Sequence, residues 1–156
     1  MFKSGLKLRI VFTTSSSSAT YGIPRIAVYS ATKHAVKGLT EALSIEFSRH
    51  GIRVADTLPG LIDTAILRNT PNHSGDTPED FDLVAMAPKR GLFRAIPPER
   101  VADAVWEAYT KGGKLHYYVP RGIAWIDRIK GFAPMFIRSR VAVLTRDMMG
   151  IPESKS

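Results

Sequence analysis

Tyr29 and Lys33 lie four residues apart in Tyr29-Ser30-Ala31-Thr32-Lys33, with four consecutive serines, Ser15 to Ser18, upstream and Pro59-Gly60 downstream. On a helix, residues four apart share a face, so the phenol and the ammonium can meet over a single site. Tyrosine is a poor acid or base at neutral pH, with an unperturbed pKa of about 10. A fixed cation beside a phenol favours the phenolate and brings proton transfer toward working pH. A hydroxyl from Ser16 could donate to a developing oxyanion. Together the three groups make a site for proton transfer between a carbonyl and an alcohol. The Tyr-x-x-x-Lys spacing alone is unspecific, because such pairs also occur on solvated helix faces.

The elements around these residues supply the context. Leu8 to Thr13 is mostly apolar apart from Arg9 and reads as a short strand of a buried parallel sheet. The hydroxyls that follow, Thr13 through Ser18, could simply satisfy backbone groups beyond the strand end. At the carboxyl end of a parallel strand they would also face a ligand crevice. A helix is predicted from about Ala27 to His50, with Ala31, Ala35, Leu39, Ala42, Leu43 and Phe47 as its buried stripe and Gly51 as its stop. Ile52 to Leu58 reads as the next buried strand, broken by Pro59-Gly60.

From Ile10 to Leu67 these pieces follow one another as in the short-chain dehydrogenase/reductase family, which the chain resembles. The matching pieces are the strand, the serine-rich turn, Pro24 before Ala27 to Lys33, the small-residue helix, Gly51-Ile52-Arg53-Val54, and Pro59-Gly60-Leu61-Ile62-Asp63-Thr64. The family's catalytic serine usually precedes the tyrosine by thirteen positions. The resemblance therefore implies catalytic roles for Ser16, Tyr29 and Lys33, with Ser15 or Ser17 in place of Ser16 if the turn slips by one residue. It implies an NAD or NADP cofactor held by Tyr29, Lys33, Pro59, Gly60, Ile62 and Thr64, the backbone near Ile62 meeting the nicotinamide carboxamide. The ordinary alternative for that last segment is a strand-to-loop turn with a helix cap at Asp63 or Thr64. The implied reaction interconverts an alcohol and a ketone, with a hydrophobic substrate suggested by apolar and aromatic content after residue 68. A homo-oligomer through helix 27–50 is implied as well, since Ala31, Ala35 and Gly38 permit close approach.

The resemblance covers only the later part of the family's domain. Family members open with a glycine-rich turn that lets backbone approach the cofactor pyrophosphate. Here no two glycines are spaced as G-x-G. The expected fold is thus the C-terminal part of a doubly wound parallel-sheet Rossmann-like fold, lacking the first strands, in an N-terminally truncated member. A competing expectation is a non-catalytic fragment whose strand Leu8 to Thr13 is an exposed, adhesive edge.

The remaining sequence sets bounds. The length of 156 residues, 44% of them hydrophobic, suits a single core. With no cysteine, disulfides and thiolate metal sites are excluded, and a cytoplasmic setting is expected. No serine elbow of a hydrolase, no His-Glu-x-x-His and no zinc spacing occurs, so no metal site is expected. The net charge is +8, and from Lys114 to Gly150 seven Lys and Arg stand against Asp127 and Asp147. No nucleic-acid motif accompanies that charge. It reads either as a solvated helix face or as a basic amphipathic segment making peripheral membrane contact through 121–149, because Trp125, Ile129, Phe132, Phe136 and Ile137 lie among the cations.

Residues 68–95, containing Pro71, Pro78, Pro88 and the lone His73, are expected to form a mobile loop over the substrate. A helix over 100–111 opens after Pro97-Pro98, with Val101, Ala104, Val105 and Ala108 inward, and Leu115 to Val119 is a last strand. Helical segments broken near Gly131 and Pro134 then fill 124–149. The organisation expected is a catalytic part at 1–120, a basic helical extension at 121–150 and a disordered tail at 151–156.

Overall fold

The computed structural model describes residues 9–24, 26–69, 84, 85 and 87–148. Most of the expected substrate loop, including His73, and the whole expected tail lie outside the described residues. The elements, in order, are β1 (Arg9–Thr14), a single 3-10 turn (Ser17–Ala19), α1 (Ala27–Ser48), β2 (Ile52–Pro59), α2 (Ala65–Asn69), α3 (Glu99–Thr110), β3 (His116–Val119), α4 (Ile123–Phe132) and α5 (Pro134–Met148). The strands form one parallel sheet in the order β1-β2-β3. Parallel neighbours need crossover connections. Here α1 links β1 to β2, and the segment containing α3 links β2 to β3. Arg9 pairs with Ile52 and Thr14 with Thr57, while Asp56 pairs with His116 and Pro59 with Val119. The architecture is that of a partial Rossmann fold.

The two faces of the sheet differ. On the α3 side, Ala55, Tyr117 and Val119 pack with Ala104 and Ala108 of α3 and with Ile96, joined at the margin by Ile10, Phe12, Ile62 and Val101. Val105, expected inside with them, is 38% exposed. On the α1 side the contact is mixed: buried Val54 and Leu58 lie beside polar groups, Thr13 and Thr40 share a hydrogen bond of 2.7 Å, and Ser15 Oγ donates to Lys33 O at 2.9 Å.

The register of α1 differs from expectation. Ala31, Ala35, Leu39 and Ala42 face solvent, and Leu43 and Phe47 are half-buried. The fully buried positions are Ser30 and Thr40, with Lys33 and Lys37 on the same inward face at intermediate burial. The sheet surface beneath carries Thr13, Asp56, His116 and Tyr118 among Val11, Val54 and Leu58, and the helix turns toward it a mixed stripe in which Val36, Leu43 and Phe47 accompany the polar residues. The small apolar stripe is left outside.

Glycines end two of the helices. Gly51 has φ of 63° and Gly112 a φ of 65°, in the left-handed region that glycine enters without strain. The break between α4 and α5 falls at Ala133, whose φ of −135° and ψ of 64° leave the helical region. Proline disfavours helical geometry in the residue before it, and Pro134 opens α5. Gly131, expected near the break, remains within α4. A second core joins Tyr21 to Ile137 and Val141 of α5, with Ile23, Phe93 and Ile126 against it. Among the described residues, no helix is long and apolar enough to cross a membrane.

Candidate active site

The carboxyl ends of all three strands open on one side of the sheet, where a parallel sheet leaves its ligand crevice. The serine turn at the end of β1 is tied down by backbone. Ser15 N–H donates to Thr57 O at 2.9 Å, Ala19 N–H to Ser16 O at 2.9 Å, and Thr20 N–H to Ser17 O at 2.8 Å. Ser16 is extended, with φ of −161° and ψ of 159°, and its Oγ accepts the Ser18 N–H at 3.2 Å as the cap of the 3-10 turn. Ser15 to Ser18 are all buried, and Ser18 Oγ has no hydrogen-bond partner among the described residues. The hydroxyls of Ser15, Ser16 and Thr20 thus do the ordinary work of satisfying backbone. The Ser16 hydroxyl accepts in its capping bond, so its own proton remains free to donate.

Tyr29 sits in the first turn of α1 and is 46% exposed. The Lys33 ammonium lies 5.5 Å from the centroid of its ring and donates to Thr14 O at 3.1 Å. The helical spacing and the end of β1 therefore bring Lys33 to Tyr29 and to Thr14, and Ser15, rather than Ser16, bonds to the Lys33 backbone. Among the described residues the Tyr29 hydroxyl makes no hydrogen bond.

The segment after β2 forms the other wall. Pro59 is buried at the strand end, and Gly60 N–H donates to Val119 O at 2.7 Å. A side chain on Gly60 would press on Ile123 and Pro120, so the backbone there packs against the start of α4. Ile62 bridges Ile96 in parallel fashion, with Asp63 N–H donating to Ile96 O and Ile96 N–H to Leu61 O. In such a bridge the N–H of Ile62 itself points away from Ile96. Thr64 offers its carbonyl to Leu67 and Arg68 at the start of α2, and its hydroxyl contact with Ile62 O is long at 3.5 Å. The Arg68 guanidinium clasps Asp63 at 2.8 Å through two nitrogens and holds that carboxyl below its ordinary value.

One cluster was not foreseen. Tyr118 OH donates to Asp127, which Lys37 also reaches at 2.7 Å. Beside it, His116 Nδ1 lies 2.8 Å from the fully buried Asp56, and Nε2 lies 3.3 Å from Glu41. Burial opposes ionisation of Asp127, but hydrogen bonds from Lys37 and Tyr118 outweigh it and hold the carboxyl low. Burial and the same carboxylate push the Tyr118 phenol well up. The available signal was the polar face of α1, on which Lys37, Thr40 and Glu41 continue the line of Lys33 at helical spacing. Two cavities lie apart from Tyr29. One of about 500 Å3 opens between β1 and α3, and one of about 770 Å3 follows the outer edge of β3.

Comparison with known proteins agrees with this fold. The family profile described as short chain dehydrogenase matches residues 1–75. The 2,5-dichloro-2,5-cyclohexadiene-1,4-diol dehydrogenase of Sphingobium indicum is 38% identical over 107 residues, which are 68% of this chain and 40% of that protein. A short chain dehydrogenase from Burkholderia cenocepacia, solved with NADP, superposes with a TM-score of 0.62 at 26% identity, over 85% of this chain and 46% of that one. An actinorhodin polyketide ketoreductase variant solved with NADPH gives a TM-score of 0.60 at 27% identity, over 74% of this chain and 47% of that one. The chain spans less than half the length of each of these relatives. Through the strand, serine turn, Tyr-Lys helix and Pro-Gly turn, it belongs to the short-chain dehydrogenase/reductase family.

Proposed function

We propose that this chain supplies the proton-transfer half of an NAD(P)-dependent oxidoreductase that interconverts an alcohol and a ketone. The observation that carries this reading is Lys33 clamped between Thr14 O and the Tyr29 ring at the carboxyl end of β1. Tyr29 OH gives a proton to the substrate oxygen in reduction and takes it back in oxidation. As the proton leaves, the adjacent ammonium stabilises the negative charge left on the phenol oxygen. Ser16 directs its free proton at the same substrate oxygen and holds it toward Tyr29. A nicotinamide cofactor, when bound, supplies or accepts the hydride.

The residues present fit the nicotinamide end of such a cofactor. Lys33 spends one of its three ammonium protons on Thr14 O and keeps two for ribose hydroxyls. Gly60 keeps the turn clear of side chain, Pro59 ends the strand beneath it, and Ile62 has an outward N–H for a carboxamide oxygen; Thr64 stands next to it. The pyrophosphate end has no matching glycine spacing in this sequence. The substrate we infer is a hydrophobic alcohol or ketone, a reading supported by the cyclic diol dehydrogenase among the relatives. A cytoplasmic setting belongs to the same reading, since a chain without cysteine needs no oxidising compartment. So does a homo-oligomer through α1, whose outward stripe is apolar.

In the enzyme that carries this chain, Tyr29→Phe should lower turnover by about 10²- to 10⁴-fold, the usual contribution of a positioned acid–base group. Folding should be unchanged, because the hydroxyl has no hydrogen-bond partner to lose among the described residues. Unaltered turnover in the variant would refute the assignment. A second reading, a fragment without catalysis, is favoured by the apolar cavity lined by Ile10, Phe12, Ala102, Val105, Trp106 and Tyr109 at the edge of β1. That surface needs cover from another strand or chain.

A further inference from the structure

Helices α4 and α5 each carry two apolar faces, and among the described residues only one of them is packed. Inward, Ile123, Ile126, Ile137 and Val141 meet the body of the protein. Outward, Trp125, Ile129 and Phe132 recur at helical spacing along α4, and Phe132 is 94% exposed. Met135, Phe136 and Val143 continue this exposed surface along α5. Ile137, grouped with them by sequence, belongs to the inward set. Cations stand over the aromatic rings: the Arg128 guanidinium lies 5.5 Å from Trp125 and that of Arg140 lies 5.4 Å from Phe136.

The charge around this surface has one sign. From Arg121 to Val143 the chain has five Lys and Arg and a single acid, Asp127, which is turned inward onto Lys37 and Tyr118. Arg94 and Arg128 extend the cationic wall into the cavity beside β3, and neither has a carboxylate partner among the described residues. A second copy of the chain is a poor occupant, since a symmetric contact would set Arg128 and Arg140 against themselves. A nucleic acid would use the cations but leave Phe132 and Met135 in water. A surface that is anionic at the headgroups and apolar just beneath them satisfies both features.

We propose that the outer face of α4 and α5 is an interfacial binding surface for anionic phospholipid membranes. The helices lie in the membrane plane with Trp125, Phe132 and Phe136 at the headgroup–acyl boundary. The inference is independent of the oxidoreductase reading. It is tested by co-sedimentation of the 156-residue protein with phosphatidylcholine vesicles, with and without phosphatidylserine. A Trp106→Phe background leaves Trp125 as the sole indole reporter.

The protein should pellet with phosphatidylserine vesicles at about 0.05 M salt, be released toward about 0.5 M, and show a blue-shifted Trp125 emission when bound. Phe132→Ser, at a position too exposed to support the fold, should weaken binding on the order of tenfold. Arg128→Gln and Arg140→Gln should each weaken it about fivefold. Folded protein that stays in the supernatant with anionic vesicles at low salt would overturn the proposal. So would equal binding to neutral vesicles, binding indifferent to Phe132→Ser, or self-association that Phe132→Ser abolishes without any lipid binding.

Discussion

Lys33 and Lys37 occupy successive turns on one side of α1 and have different duties. Lys33 keeps its charge near solvent, resting on Thr14 O beside Tyr29. Lys37 is tied to Asp127, which also accepts from Tyr118. This second group has a consequence for pH. The Asp127 carboxyl is held low in the folded protein, so its contribution to stability is present above about pH 4 and is lost as pH falls through the lowered value. The Tyr118 phenol is pushed up, so its contribution is complete below about pH 10 and is lost as pH rises further. Tyr21, raised by burial, acts in the same direction. Thermal unfolding measured from about pH 8 to about pH 11 should show a falling Tm whose slope is reduced by Tyr118→Phe. At neutral pH that variant should lose about 2 kcal/mol, the scale of a hydrogen bond to a charged acceptor. An unchanged alkaline slope would remove Tyr118 from the account. The closeness of Tyr29 and Lys33 was legible because a spacing rule put them on one helix face. The cluster of Asp56, His116, Tyr118 and Asp127 was not, because strand pairing sixty residues apart joins Asp56 to His116 and the docking of α4 brings Asp127 to Lys37, ninety residues away.

At the scale of elements, strand and helix positions followed from apolar runs, glycine stops and prolines to within a residue or two. The facing of α1 did not. Periodicity tells which residues share a side of a helix, while the surface opposite decides which side is buried. Val28, Ala31, Ala35, Gly38, Ala42 and Ile45 recur every three or four residues and face out, with Val28 80% and Ile45 76% exposed. A seam of that period and such small residues suits a neighbouring helix at close range. If α1 is the oligomer contact, Ala35→Glu should shift the protein toward monomer in sedimentation velocity without altering its circular dichroism. An unaltered oligomeric state in that variant, or a monomeric parent, would reject the contact. Residues at 30, 33, 36, 37, 40, 43 and 47 carried the same periodicity, and the sheet face beneath, with Thr13 and Asp56 beside Val54 and Leu58, receives them.

For the whole molecule, the three strands, the mixed face under α1 and the apolar face under α3 form a partial Rossmann unit. Composition indicated a single core and the spacing of motifs indicated its family, but neither revealed that α4 and α5 would carry apolar residues on both sides. The central claim is that Lys33, Tyr29 and Ile62 form the nicotinamide end of a cofactor site. Titration of the 156-residue protein with nicotinamide mononucleotide, followed by NMR, tests it most directly. The account predicts saturable shifts at the Tyr29 ring and the Ile62 amide that Lys33→Met abolishes. Shifts absent from both groups, or unaffected by Lys33→Met, would contradict it.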